Sequence, residues 1–184
     1  WAIINGETQT GVTTFFLKHQ IDTGDILFSE PVNIAPDETA GNVHDKLMEV
    51  GAELLVKTVK AIEAGNYQET PQYEMETNLL QHAPKIFKDD CLINWQNPVK
   101  KVYDLIRGLS PYPTAFTRIQ DKTLKIFRAE KQEKTTDIKP GEYLTDGKTF
   151  LKFACPDGMI SITDLQLEGK KRMKIDEFLR GVRL

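Results

Sequence analysis

The sequence predicts an α/β portion followed by a small antiparallel β domain of barrel or sandwich type. β-branched and aromatic runs at 12–17 and 26–34 give way to apolar residues at three- and four-residue spacing over 39–64, a change of period from strand to helix. Beyond residue 114, short β-like runs alternate with Gln120-Asp121, Pro140-Gly141, Asp146-Gly147 and Pro156-Asp157-Gly158, the rhythm of tightly turned antiparallel strands.

Trp1-Ala2-Ile3-Ile4 reads as the last turn or two of a helix, stopped by Asn5-Gly6, a pair suited to left-handed backbone. The run 12–17 is a strand, and Ile26-Leu27-Phe28 with Val32-Asn33-Ile34 a second, which Pro31 confines to an edge or breaks. Gln20-Ile21-Asp22-Thr23-Gly24 connects them, Gly24 permitting the bend. In the helix, Val43, Leu47, Val50, Leu54, Leu55, Val59 and Ile62 form the apolar stripe, Thr39 is the cap and Gly65-Asn66 the stop. Two strands cannot supply a central sheet or cover that helix, so the first portion is incomplete by itself. Residues 66–94 contain Pro71, Pro84 and no sustained period, and are expected to cross between domains. Asn97-Pro98 opens a short helix with Val99, Val102, Tyr103 and Ile106 on one stripe, ending near Gly108. The strands expected next are 114–119, 123–129, 142–145, 149–154 and 159–167, with a terminal helix over 174–179. The expected division is thus 1–66, a linker region at 67–94, and 95–184.

No apolar run approaches the roughly 20 residues that cross a bilayer, so no membrane partner is expected. The chain starts at Trp1 with neither a basic start nor a cleavage-site pattern, and is expected to be a piece of something longer. Cys91 and Cys155 lack metal-ligand or disulfide-framework spacing and read as isolated thiols of a cytoplasmic protein. His19, His44 and His82 form no ligand motif, and no metal is expected. Charge is divided unevenly. Residues 1–84 hold 4 basic and 13 acidic side chains, a net of -9, whereas 85–184 hold 20 and 14, a net of +6. A basic half suits a polyanion such as RNA, but on charge alone a solvated lysine-rich surface is the expectation.

Asp22 and Asp25 are each ambiguous, since an aspartate beside Thr-Gly commonly serves its own turn. The cations fall into groups: Lys100, Lys101 and Arg107 on the short helix, Lys125 and Arg128 on a strand, and Lys170, Lys171, Arg172 and Lys174 entering the last helix. Tyr112, between Pro111 and Pro113, can stack on a nucleotide or pack the mouth of the barrel, and packing is the expectation.

Six segments in order, WAIINGETQTGVTTF, IDTGDIL, HDKLMEVGAELL, HAPKIFKDDCLINW, IRGLSPYPTAF and LEGKKRMKIDEFLRG, are spread along nearly the whole chain, which closely resembles the methionyl-tRNA formyltransferase family. The resemblance implies the C-terminal remnant of a Rossmann-like formyltransferase domain, lacking its first part, followed by an OB-like, tRNA-associated β-barrel. It also implies formyl transfer from 10-formyltetrahydrofolate to the α-amine of methionyl initiator tRNA, without a metal. Asp22 matches the family's catalytic aspartate, while the family's catalytic asparagine and histidine precede WAIING. By itself the chain is therefore expected to be inactive and to hold folate weakly, residues 10–28 offering one wall. Lys170, Lys171, Arg172 and Lys174 are the expected tRNA-backbone contacts, with Lys100, Lys101 and Arg107 secondary. The parent is expected to be a monomer. The alternatives are a formyltransferase acting on an amino sugar nucleotide or a small amine, and a noncatalytic RNA-binding module.

Overall fold

A computed structural model of the chain describes residues 1–72 and 81–184; residues 73–80 of the expected linker lie outside the described residues. The chain divides into two compact units, one of Thr8–Pro36 and Asn42–Pro84, the other of Trp1–Glu7, Asp37–Gly41 and Lys85–Leu184.

In the first of these, β1 (Gln9–Phe15) and β2 (Ile26–Asn33) form an antiparallel ribbon with Gln9 opposite Asn33 and Thr14 opposite Phe28. Pro31 lies inside β2 without breaking it, because a two-stranded ribbon turns alternate backbone N–H groups outward. A Cβ at its partner Gly11 would come within 2.7 Å of the Glu30 carbonyl oxygen, so only glycine lets the strands approach there. Helix α1 (Ala40–Glu63) ends at Gly65, whose φ of 63° takes the left-handed turn. Its buried side chains are Val43, Leu54 and Thr58. The Thr58 hydroxyl donates to the Leu54 carbonyl at 2.7 Å and pairs with the Thr14 hydroxyl at 2.9 Å. Leu55 and Val59, expected on the buried stripe, are more than half exposed. Among the described residues this unit contains no parallel strand pair of a Rossmann-like sheet.

The second unit is built on a six-stranded antiparallel sheet. Its path is β3 (Ala115–Ile119), β4 (Lys122–Gln132), β7 (Gly158–Leu167), β6 (Leu151–Cys155) and β5 (Tyr143–Thr145), with β8 (Met173–Lys174) also pairing β7. The sheet is open, not the closed OB-like barrel expected, since β3 and β5 end the path and do not pair. Two features account for the opening. The outer edge of β3 is already occupied, with Ile93 N–H donating to the Phe116 carbonyl at 2.9 Å. The concave side is filled by α2 (Val99–Gly108), whose Val99, Val102 and Ile106 are each 1% exposed and share one core with Leu124, Ile126, Phe153, Ile160 and Leu165. A helix that plugs the interior leaves no space for the strands to close around.

Trp95 stacks on Phe153 with ring centroids 4.5 Å apart and donates its indole N–H to Thr117, tying the segment before α2 to the sheet. A bulge at Phe127-Arg128 breaks the alternation of β4, so that Ile126 and Phe127 are both buried. Helix α3 (Ile175–Gly181) closes the core with Phe178 and Leu179. Residues 1–7 make a single turn, Asn5 N–H donating to the Trp1 carbonyl, and sit against α2 so closely that a Cβ at Gly108 would lie 2.6 Å from Ile4. No described helix is long and apolar enough to cross a membrane.

Candidate active-site loop and nucleic-acid interface

The loop between β1 and β2 is braced at its base. Phe16 N–H donates to the Asp25 carbonyl at 3.1 Å, and Gln72 donates its side-chain amide to the Gly24 carbonyl at 2.7 Å. A Cβ on Gly24 would overlap the Phe16 carbonyl oxygen, so no other residue fits that neck. Toward the tip, the Thr23 hydroxyl donates to the Gln20 carbonyl at 2.9 Å. Lys18 takes the Asp25 carboxylate at 2.8 Å, whereas the exposed Asp22 carboxylate makes none of the hydrogen bonds or ion pairs among the described residues. The two aspartates that turn chemistry alone left equivalent are thereby distinguished: Asp25 ties the loop, and Asp22 is offered to whatever approaches. Asp22 has φ 56°, a left-handed conformation that Asp and Asn tolerate better than other side chains. Beside it, Leu17 and Ile21 present apolar surface at 89% and 85% exposure. Among the described residues no group of three or more His, Cys, Asp or Glu could hold a metal ion.

In the other unit the cations are gathered by two buried aspartates. Asp104 on α2 accepts from Lys100 Nζ and from Arg107 Nε, both at 2.7 Å. Arg107 also reaches the Glu38 carbonyl at 3.2 Å and is itself buried, whereas Lys101 is exposed. The Lys100 side chain is 60% exposed although its ammonium is paired. Asp164, mid-strand on β7, accepts Arg172 Nε and Nη2 at 2.9 and 2.7 Å, with Lys174 Nζ at 3.4 Å. The Arg172 guanidinium lies 4.2 Å from the Phe127 ring centroid, a planar cation held between a carboxylate and an aromatic face. Arg172 thus fastens the loop, and the exposed Lys170 and Lys171 project from what it fastens. The loop is further fixed by Gln166, which donates to the Lys170 carbonyl at 2.8 Å, and by Gly169 at φ 77°.

The hydrogen bonds from Arg172 hold the Asp164 carboxyl below the usual carboxylate range, outweighing the opposing effect of its burial. Because the folded group is the stronger acid, its stabilisation is present above the unfolded value near 3.8 and is lost as pH falls through the folded value. Thermal melts of the chain should therefore decline between about pH 5 and pH 3 more steeply than melts of Asp164→Asn. Parallel declines would show that the pair contributes nothing pH-dependent.

Asp164 and Phe127 escaped the sequence reading, although a lone carboxylate inside Ile160-Ser161-Ile162-Thr163-Asp164-Leu165 was a signal for a buried partner. Tyr112 departs from expectation: its ring is 85% exposed and does not pack the core. Burial raises the thiol of Cys155 to about 11 and also raises that of Cys91, and both cysteines are free.

Comparison with known proteins bears on both units. Residues 85–183 match the family model described as formyl transferase, C-terminal domain, and residues 1–59 match that described as formyl transferase. The methionyl-tRNA formyltransferase of Bacteroides fragilis is 50% identical over 190 residues, covering 100% of this chain and 59% of that protein. The chain thus spans about three fifths of the length of the curated relatives it matches. HypX from Aquifex aeolicus, solved in complex with tetrahydrofolic acid, superposes with a TM-score of 0.69 at 24% identity, over 99% of this chain and 32% of that one. An N-formyltransferase from Helicobacter canadensis, solved with folinic acid and dTDP-3-aminofucose, gives 0.63 at 18% identity, over 90% and 59%. At such identities the two structures speak for the fold alone. With more than half of its residues under one family model and the remainder of the match in chain order, the chain belongs to the formyl transferase family.

Proposed function

We propose that the protein to which this chain belongs transfers a formyl group from 10-formyltetrahydrofolate to the α-amine of methionine carried on initiator tRNA, in the cytoplasm. The observation that carries this reading is the 50% identity to a methionyl-tRNA formyltransferase over an alignment that covers the whole chain. Solved members of the fold with tetrahydrofolic acid and folinic acid support a folate-type donor.

The loop residues fit one side of such a site. Leu17 and Ile21 offer apolar surface for the flat rings of a folate, and Asp22 adds an exposed carboxylate on a braced turn. The donor supplies an electrophilic formyl carbon. As the amine nitrogen bonds to that carbon, the carbonyl oxygen gains negative charge and the nitrogen must shed a proton before the bond to the donor nitrogen breaks. Asp22 contributes a fixed negative charge that orients and stabilises the protonated form of the family's catalytic base. Oxyanion stabilisation falls to the family's asparagine.

Lys170, Lys171 and Lys174 serve the acceptor by neutralising tRNA phosphates, with Arg172 holding them in place through Asp164. Lys100 and Lys101 add charge at α2, where Asp104 engages Lys100 and fixes Arg107. Fluorescence anisotropy of initiator tRNA against this chain should show binding that weakens steeply with salt. Changing Lys170, Lys171 and Lys174 together to Gln should lower the magnitude of the log–log salt slope by about 2 to 3 and weaken binding at every salt concentration. A folded chain that does not bind at about 50 mM salt, or a triple variant with an unchanged slope, would contradict the assignment.

A further inference from the structure

Between the segment 85–91 and the turn before β3 lies an open cavity of about 620 Å³, within the range of about 300–1,000 Å³ usual for ligand sites. Two exposed aromatic residues stand in its lining, Tyr112 at 85% and Phe87 at 63% exposure. Neither is a loose side chain on a loose segment. Phe87 is pinned by its own backbone, its N–H donating to the Asp90 carboxylate at 2.7 Å and its carbonyl accepting the Cys91 thiol at 3.4 Å. Tyr112 sits in a turn fastened by Thr114, whose hydroxyl donates to the Pro111 carbonyl at 2.6 Å and whose N–H donates to the Leu109 carbonyl at 2.8 Å.

Cations surround the rings. Lys88 and Lys125 line the cavity, and Lys85 Nζ stands 5.5 Å from the Phe87 ring centroid. The carboxylate in the lining, Glu168, is occupied by the Thr123 N–H at 2.9 Å and lies near Lys122 and Arg118. Exposed aromatic rings on a braced backbone, with ammonium groups beside them, are what a single-stranded nucleotide needs, a surface on which to stack its base and charges to meet its phosphate. We propose that this cavity holds an unpaired nucleotide of the acceptor RNA, its base stacked on Tyr112 or Phe87 and its phosphate met by Lys88 and Lys125. This rests on the reading of the acceptor as an RNA. It adds base stacking, which contributes no salt dependence of its own, to the phosphate contacts, in a cavity whose lining runs through Gly169 to the edge of the basic loop at 170–174.

The test compares two labelled hexamers of equal charge, hexaadenylate RNA and its abasic counterpart, binding to this chain by anisotropy. Hexaadenylate is expected to bind at least ~5-fold more tightly. Tyr112→Ala or Phe87→Ala should reduce that preference without altering the salt slope, and Tyr112→Trp should retain it. Lys125→Gln should weaken both hexamers and lower the slope. The substituted aromatic residues are exposed, so each variant is expected to fold, which circular dichroism checks. Equal affinity for the two hexamers, or a preference that survives both alanine substitutions, overturns the proposal. So does an alanine substitution that dissociates a dimer of the chain while leaving hexamer affinity untouched, for the rings would then serve a second copy. Formyl transfer to an acceptor without RNA would refute the functional reading and leave the hexamer result standing; the converse failure leaves formyl transfer to tRNA standing.

Discussion

Asp22→Asn, made in the protein that carries the family's whole first domain, is expected to lower kcat by about 10²- to 10⁴-fold while leaving stability within about 0.5 kcal/mol. The structure makes this substitution unusually clean. Asn tolerates the φ of 56° as well as Asp does, so the loop keeps its course. The carboxylate is exposed and engages no described group, so no internal hydrogen bond is lost. What is removed is one negative charge at the tip of a loop whose base is braced by Asp25 and Gln72. Steady-state rates with both substrates saturating isolate kcat, and an unchanged rate would remove Asp22 from the mechanism.

The second large effect concerns stability. Asp104→Ala should destabilise the unit containing α2 by about 3–5 kcal/mol, because it leaves the buried Arg107 guanidinium without its carboxylate. The Glu38 carbonyl at 3.2 Å remains, but a neutral acceptor does not compensate a buried cation. Replacing both partners with apolar residues, Asp104→Leu with Arg107→Met, should recover much of the loss, since the desolvation cost of the pair disappears with its attraction. Urea denaturation of the single and double variants measures this. A single variant within about 1 kcal/mol of the original, or a double variant worse than the single, would show that the pair is not what holds this end of α2.

Local signals made most elements legible. The 39–64 period became Ala40–Glu63, the Asn97-Pro98 start led into Val99–Gly108, and the turn residues after 114 separated the strands of the second unit. Closure was not legible, because whether a curled sheet meets itself depends on what fills its interior. Here Val99, Val102 and Ile106 of a helix take that place, and the 92–93 segment takes the edge of β3. Nor could turn chemistry alone rank Asp22 against Asp25, which only the family resemblance did, since the ion pair to Lys18 that separates them bridges seven positions across a loop. Charge counting found the cations but not their commitments. Arg107 is drawn inward by Asp104, and Arg172, although exposed, is paired with the buried Asp164, contacts that hydropathy does not encode, whereas Lys101, Lys170 and Lys171 make no such pair among the described residues. Tyr112 was misjudged for a related reason: prolines on both sides fix a turn, yet they do not determine which way its ring faces.

The most direct measurement is an acceptor comparison with the full-length protein and labelled 10-formyltetrahydrofolate, offering methionyl initiator tRNA in one reaction and a dTDP-amino sugar in another. The account predicts formyl transfer to the methionyl amine, with kcat/KM falling as salt rises because the acceptor is held by its phosphates. Efficient transfer to the amino sugar, with none to methionyl-tRNA at any salt concentration, would contradict it.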